Sequence, residues 1–299
     1  MKLGIKGRFR TEIIEAGRQV WDSGEQDNLV LDGYLSLGRA MSENNVLCIG
    51  AGVATPPTVT DTELFNQVDY ESINLGGYSA SVEADGFILS RYGSTDFTGL
   101  DYDDLSELGL RDGVGGTLIT RSLIKDGSGD PTTISVGPGQ TLRITYTLYF
   151  YVPFVVSSGT VSTPHGDLDW AVGIPPSSRT QAAANGAANS LIYARYIGVK
   201  TNGYSNFSAQ LFHTSGSVST SNFSVSKDIA NRKETASCTF PAQQSNITLG
   251  GSAPNEDIIV GLTYSFGNTN LYCPTGNTIT IPANYDFSIT YDVTWGRAS

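Results

Sequence analysis

Side chains equipped for chemistry are scarce in this chain. Its 299 residues include two histidines, three cysteines and two methionines, and charged residues make up 16%, below the ~25% usual for soluble domains. The histidines, His165 and His213, lie far apart in polar segments. No His-x-x-x-His or Cys-x-x-Cys spacing accompanies them, so no metal site is expected and both histidines read as structural or solvent-exposed. Cys48, Cys238 and Cys273 are odd in number and unrelated in spacing. That excludes a disulfide framework and predicts buried free thiols, since each lies in an apolar or β-like run. No run approaches the ~18 apolar residues of a membrane-spanning helix, and the N-terminus has no continuous apolar stretch of the secretory kind. Synthesis in a reducing cytoplasm is therefore expected, where the Asn-x-Ser/Thr sites at Asn206, Asn222 and Asn246 stay unmodified.

Cofactor signatures are missing as well. "GAGVATP" (50–56) lacks the third glycine and the following helix of a dinucleotide fingerprint. No phosphate-cradling Gly-Lys-Ser/Thr loop and no Gly-x-Ser-x-Gly nucleophile turn occurs. "DFTGLDYDD" gathers Asp96, Asp101, Asp103 and Asp104 without calcium-loop spacing, so the 96–104 segment reads as a solvated acidic loop rather than a cation site. Asp101 and Asp103 resemble a glycosidase carboxylate pair only on paper, because nothing around them signals a substrate groove. No catalytic residue and no cofactor is expected, and the chain reads as not an enzyme. The net charge of -11 also argues against nucleic acid as a partner, since phosphate binding draws on clustered Lys and Arg.

What the chain has is turn and sheet material: 34 Gly, 12 Pro, 15 Tyr and 12 Phe. Aromatic and β-branched residues suit a pleated surface. Residues 7–24 read as a hairpin about Glu15-Ala16-Gly17, and 45–52 as a buried strand running into a glycine turn. "VATPPTVTDTEL" reads as an extended loop that starts a helical turn at Asp61. Strands are expected at 77–90 around an Asp85-Gly86 turn, at 117–125 and at 132–136. From Leu142 to Val152 apolar and polar residues alternate strictly, the mark of a long strand with one face in the core. The helices should be few and near the N-terminus, the clearest over Leu29–Met41 behind an Asp27 or Asn28 cap. A second brief one is suggested by "RTQAAANGAANSLIYARY". Past Pro153, "SSGTVSTPHGD" has the composition of a linker or long loop. Later strand candidates are 190–199, 208–213, 222–225, 258–266 and 285–295.

The fold class expected is all-β, mainly antiparallel and sandwich-like, with one or two short helices near the N-terminus. At roughly 150 residues per domain the chain divides into 1–154 and 155–299. The second part is either its own β-rich domain or an elaborated insertion, with the last strand (285–296) returning to the first sheet beside Leu142–Val152. Tyr149 and Tyr151 fall on the outer face of that strand, and Tyr193, Tyr196 and Tyr204 follow in the polar half. Aromatics on an outer face need cover, and Tyr is enriched at interfaces. They are either covered within the chain or candidates for a subunit or partner interface.

The order of segments resembles tail-associated structural proteins of tailed bacteriophages. The likeness rests on "DNLVLDGYL", "VLCIGAGVATPPTVTDTEL", "LSELGL", "LITRSLIKDGSGDPTTISVGPGQTLRITYTLYFYVPF" and the terminal "FSITYDVTWGRAS". It covers residues 7–154 well and 285–297 more weakly, and brings no catalytic residues with it. The resemblance implies a virion structural protein, tail-associated, assembling as a homo-oligomer and contacting other tail, neck or capsid proteins. A receptor-binding tail fibre or adhesin that meets the host surface, with 190–250 as its binding face, is the alternative. A capsid-decorating or head-fibre protein is a third reading.

Overall fold

The computed structural model describes residues 2–37, 45–163, 166–174, 179–190, 209–213, 216–220, 223–240, 247–249, 258–264, 267–272, 279–284 and 286–298. The chain is all-β, and the ladders that hold it together are antiparallel. In order come β1 (Lys2–Glu15), β2 (Arg18–Val30), α1 (Asp32–Leu35), β3 (Asn45–Ala51), β4 (Gln67–Ile73), β5 (Gly77–Val82) and β6 (Gly86–Thr98). Then follow β7 (Tyr102–Arg111), β8 (Leu118–Leu123), β9 (Ile134–Val136) and β10 (Gln140–Pro153). The C-terminal half adds β11 (Val155–Thr163), β12 (Gly166–Gly173), α2 (Gln181–Ser190), β13 (Ala209–His213) and β14 (Gly216–Thr220). It ends with β15 (Phe223–Asp228), β16 (Lys233–Phe240), β17 (Ile247–Leu249), β18 (Ile258–Tyr264), β19 (Gly267–Tyr272), β20 (Ile279–Ile281) and β21 (Phe287–Arg297).

Two compact units result, and neither is a single stretch of chain. One comprises Gly4–Ser79, Leu89–Phe150 and Gly296–Ser299; the other comprises Met1–Leu3, Ala80–Ile88 and Tyr151–Trp295. In the first, the strands run β1-β2-β8-β7-β3-β4, with β10 on β1, β5 on β6 and β9 on β7. In the second, β15-β16-β21 form one ladder, β11-β12-β19-β18-β13-β14 a six-stranded sheet, and β17-β20 a separate pair.

The first hairpin follows from two residues. Ala16 and Gly17 both have positive φ, 48° and 77°, and close a two-residue turn between the paired Glu15 and Arg18. That twist matches the flanking strands, and glycine supplies it without strain. Along the hairpin, Arg10 forks onto Asp22 (2.6 and 2.9 Å) and Arg8 reaches Asp27 and Glu25 (3.0 and 3.3 Å). These pairs lie at the surface, so each adds little to stability, but together they set the register.

β10 carries the core. Leu142, Ile144, Tyr146, Leu148, Phe150 and Val152 are all fully buried while the residues between them are half-buried. The Tyr146 ring brings a hydroxyl into this apolar interior and spends it on Thr120 Oγ1, 2.7 Å away, where Asn28 Nδ2 donates to both oxygens (3.1 and 3.2 Å). Burial drives the Tyr146 pKa far upward, which keeps the phenol neutral. Gly7 makes room for it: a Cβ there would stand 2.7 Å from the hydroxyl.

Several expectations are corrected. Leu29 and Val30 belong to β2, where they pair with Arg121 and Thr120 of β8, so the helix shrinks to Asp32–Leu35. Its N-cap is Leu31, which has no side-chain acceptor to offer. The longer helix, α2, lies in the C-terminal half, capped by Thr180 Oγ1 on the Ala183 amide (3.2 Å), with Ala184, Ala187 and Ala188 buried. The supposed linker after Pro153 is the β11–β12 hairpin. The acidic 96–104 segment is largely strand, with Asp96 held by Arg143 at 2.7 and 2.8 Å. No helical turn begins at Asp61. The last strand pairs with β16 and, at its end, with β1, where the Ala298 amide donates to the Ile5 carbonyl (3.0 Å). It does not pair with β10. Cys48 is a buried free thiol, pushed by burial up to about 11; Cys273 lies outside the described residues.

Gly7→Ala is expected to lower the stability by about 1–3 kcal/mol, the usual cost of overpacking. Because the obstacle is the Tyr146 hydroxyl, the same change made on top of Tyr146→Phe should cost clearly less. Urea melts of the four proteins in a double-mutant cycle check this, and strict additivity would contradict it.

Candidate interaction surface

The loop 52–66 leaves the sheet at the end of β3 and returns at β4, and it is built to stand rigidly. Gly52 turns it out with φ 89° while its amide donates to the Asp104 carbonyl (2.9 Å). Asp32 of α1 donates its amide to the Val59 carbonyl (2.8 Å). Leu64 drops into a buried cluster with Leu31, Val46, Cys48 and Leu118.

The strongest hold is ionic. Glu107 of β7, with a fully buried side chain, accepts Arg121 Nε at 2.7 Å through Oε2. Its other oxygen accepts the backbone amides of Phe65 (2.6 Å) and Asn66 (3.3 Å). Arg121 of β8 then spreads its remaining donors over the loop, reaching Asp61 Oδ2 at 2.5 Å and the Thr55 carbonyl at 3.0 Å. Asp61 also accepts the Thr58 amide and hydroxyl (2.9 and 2.6 Å). Each nitrogen of Arg121 and each carboxylate oxygen of Glu107 has a partner, which is the condition under which charges tolerate burial. Burial pulls the Asp61 pKa upward, but the Thr58 and Arg121 bonds outweigh it and hold the carboxyl below its ordinary 3.8.

The loop turns apolar side chains outward. Val53 is 89% and Phe65 58% exposed, and Val59 is partly so; Tyr70 on the adjoining β4 is 47% exposed. Exposed apolar residues gathered on one pinned loop mark an interaction site more readily than scattered ones do. Among the described residues no three His, Cys, Asp or Glu side chains are placed to hold a metal ion. Within the same residues no helix is long and apolar enough to cross a membrane.

The tyrosines picked out from the sequence fare differently. Tyr149 is half-buried beneath the Arg8 guanidinium, 5.8 Å from its ring centre. Tyr151 is half-buried with its hydroxyl 3.4 Å from the Asp85 carbonyl, and burial pushes its pKa up to about 12. Both therefore have cover within the chain. Tyr193, Tyr196 and Tyr204 lie outside the described residues, as does His165. The residues that sequence reasoning passed over are Glu107 and Arg121. Their signal was present: "LSELGL" and "LITRSL" each set one charge, of opposite sign, in an otherwise apolar or small-residue strand.

No family model, curated protein or solved structure matches the chain.

Arg121→Ala should destabilise the protein by about 3–5 kcal/mol, since it strands a buried carboxylate; a chemical melt decides, and a loss under 1 kcal/mol would contradict the network. A pH dependence also follows. Asp61, Asp22 and Asp96 all have folded-state pKa values below the unfolded one. The folded state then binds fewer protons, so their contribution is complete above the unfolded value and disappears as pH falls through the depressed ones. Thermal melts should therefore hold steady from pH 7 to 5 and fall steeply below about 4, and Asp61→Asn should flatten the lower limb.

Proposed function

We propose that the chain is a bacteriophage virion structural protein, tail-associated, which assembles as a homo-oligomer and contacts other particle proteins. One observation carries the reading. The segments on which the resemblance rests converge on one device: Asp61 from "PPTVTDTEL", Glu107 from "LSELGL" and Arg121 from "LITRSL" make the buried network that presents the apolar loop. The motif set therefore has a physical job, to hold an exposed contact surface in place. Rigid presentation suits a particle component, because a pre-ordered loop loses little entropy on docking. Repeated contacts between symmetry-related copies then multiply modest affinities. On this reading Val53, Val59 and Phe65 meet a neighbouring particle protein, and the chain works by shape rather than by turnover.

Gold-labelled antibody against the protein should decorate the tail region of intact particles in electron micrographs. Labelling confined to the head would favour the capsid-decorating alternative, and its absence from all particles would sink the reading. Phe65→Glu should leave the melting curve unchanged and reduce incorporation into particles at least about tenfold, the scale expected for losing one anchoring aromatic.

A further inference from the structure

The net charge of this chain is concentrated in one segment. Residues 40–110 hold twelve acidic side chains and one basic, Arg91, which accounts for the whole net charge of -11. The rest of the chain carries seventeen of each sign and cancels. Arg91 is buried. Three of the twelve carboxylates are answered, Asp96 by Arg143 and both Glu107 and Asp61 by Arg121. Others stand beside the 52–66 loop. The loop closes at a neck, where the Ala51 amide donates to the Asn66 carbonyl (3.0 Å) and Asn66 Nδ2 to the Ala51 carbonyl (3.3 Å). Val53 follows Ala51 by two residues and Phe65 directly precedes Asn66, so both apolar side chains branch from that neck. Glu63 is exposed two residues before Phe65, and Glu71 is exposed next to Tyr70 on β4. Asp104 is exposed too, and its carboxylate would stand 3.9 Å from a Cβ on Gly52. The guanidiniums close to the loop are engaged. Arg111 donates to Gln67 Oε1 (3.2 Å) and the Gly116 carbonyl (2.9 Å), and Arg297 to Asp32 Oδ1 and the Val30 carbonyl (both 2.6 Å).

We propose that the 52–66 loop docks on a basic protein surface, a neighbour that offers an apolar socket rimmed by lysine and arginine. The inference names the partner of the contact surface in the reading above and rests on it. Charge selects the occupant. Carboxylates beside apolar anchors are complementary to cations around an apolar socket, and such complementarity decides which partner is met. Nucleic acid and anionic membrane surfaces are both repelled. A bare polycation would answer Glu63, Glu71 and Asp104 but leave Val53 and Phe65 in water. A second copy fits poorly. Its own loop would bring the same carboxylates face to face. Several of its cations elsewhere are matched within the chain: Lys6 and Arg8 by Asp27, Arg10 by Asp22, Arg143 by Asp96 and Lys233 by Asp292. Contacts between copies then use other surfaces, and this one serves a different protein.

The test uses the full chain in intact particles. Glu63→Lys with Glu71→Lys should keep the wild-type melting curve, because both side chains are exposed. It should lower incorporation at least about tenfold, because cations then face cations. Glu15→Lys with Asp167→Lys makes the same change of charge at exposed positions on β1 and β12 and should leave incorporation within about twofold. Far-ultraviolet circular dichroism matching wild type separates loss of docking from loss of fold. A variant that loses its fold is replaced by Glu63→Gln with Glu71→Gln, for which a loss of about threefold is expected. With Val53 replaced by the photo-crosslinker p-benzoylphenylalanine, irradiated particles should yield an adduct to a different protein, beside a cluster of lysine or arginine, read by mass spectrometry. An adduct to another copy of this chain overturns the assignment, and so does an attachment point with no basic residues around it. Equal losses from the two charge-reversed variants make overall charge the cause and also overturn it. If Phe65→Glu lowers incorporation and reversal at Glu63 and Glu71 does not, the loop contact stands and its basic partner falls. A chain absent from all particles removes both.

Discussion

A guanidinium and a carboxylate, both out of water, stand 2.7 Å apart between neighbouring strands. Burying either alone would cost several kcal/mol, so Arg121 and Glu107 are acceptable only together and only with further partners for their remaining nitrogens and oxygen. The answering groups come from the 52–66 loop: the Thr55 carbonyl, the Asp61 carboxylate, and the amides of Phe65 and Asn66. The loop is therefore not appended to the sheet. It completes the solvation of the pair, and the pair in turn fixes its path. Gly50 belongs to the same arrangement, since a Cβ there would meet the Glu107 side chain at 2.7 Å.

Around that centre the chain separates two kinds of surface. Where strands face solvent, charge is matched locally, as along the first hairpin and between Arg143 and Asp96. Where contact with another molecule is proposed, the 52–66 loop instead turns Val53, Val59 and Phe65 outward, with the exposed Glu63 on the same loop. With only 16% charged residues, the division matters: matched pairs keep faces from sticking indiscriminately, while the exposed apolar side chains of one pinned loop stay available for a chosen neighbour.

Legibility followed the reach of the interaction. The β10 strand could be read because its alternation of buried and half-buried positions is written in consecutive residues, and the first hairpin because Ala16-Gly17 is a local turn signal. β11 was misjudged as linker because an exposed edge strand has no apolar stripe to betray it. The Leu29–Met41 helix was overdrawn because Leu29 and Val30 serve a strand whose partner, β8, lies about ninety residues away. The tyrosines drew attention as bare aromatics, and only the folded chain shows Arg8 lying over Tyr149.

Sequence alone determined the class of fold: period-two patterning, glycine turns and the want of long amphipathic stretches leave room for little but antiparallel sheet. It also determined that Cys48 is buried, because that residue sits in a strand apolar on both sides. Tertiary structure alone decided which charges go inside. Asp61 and Arg121 are 60 residues apart, and Glu107 and Arg121 are 14 apart in separate strands, so no local spacing announces that they meet. A buried ion pair is stable only when partners from distant parts of the chain arrive together, and that coincidence is a property of the folded molecule.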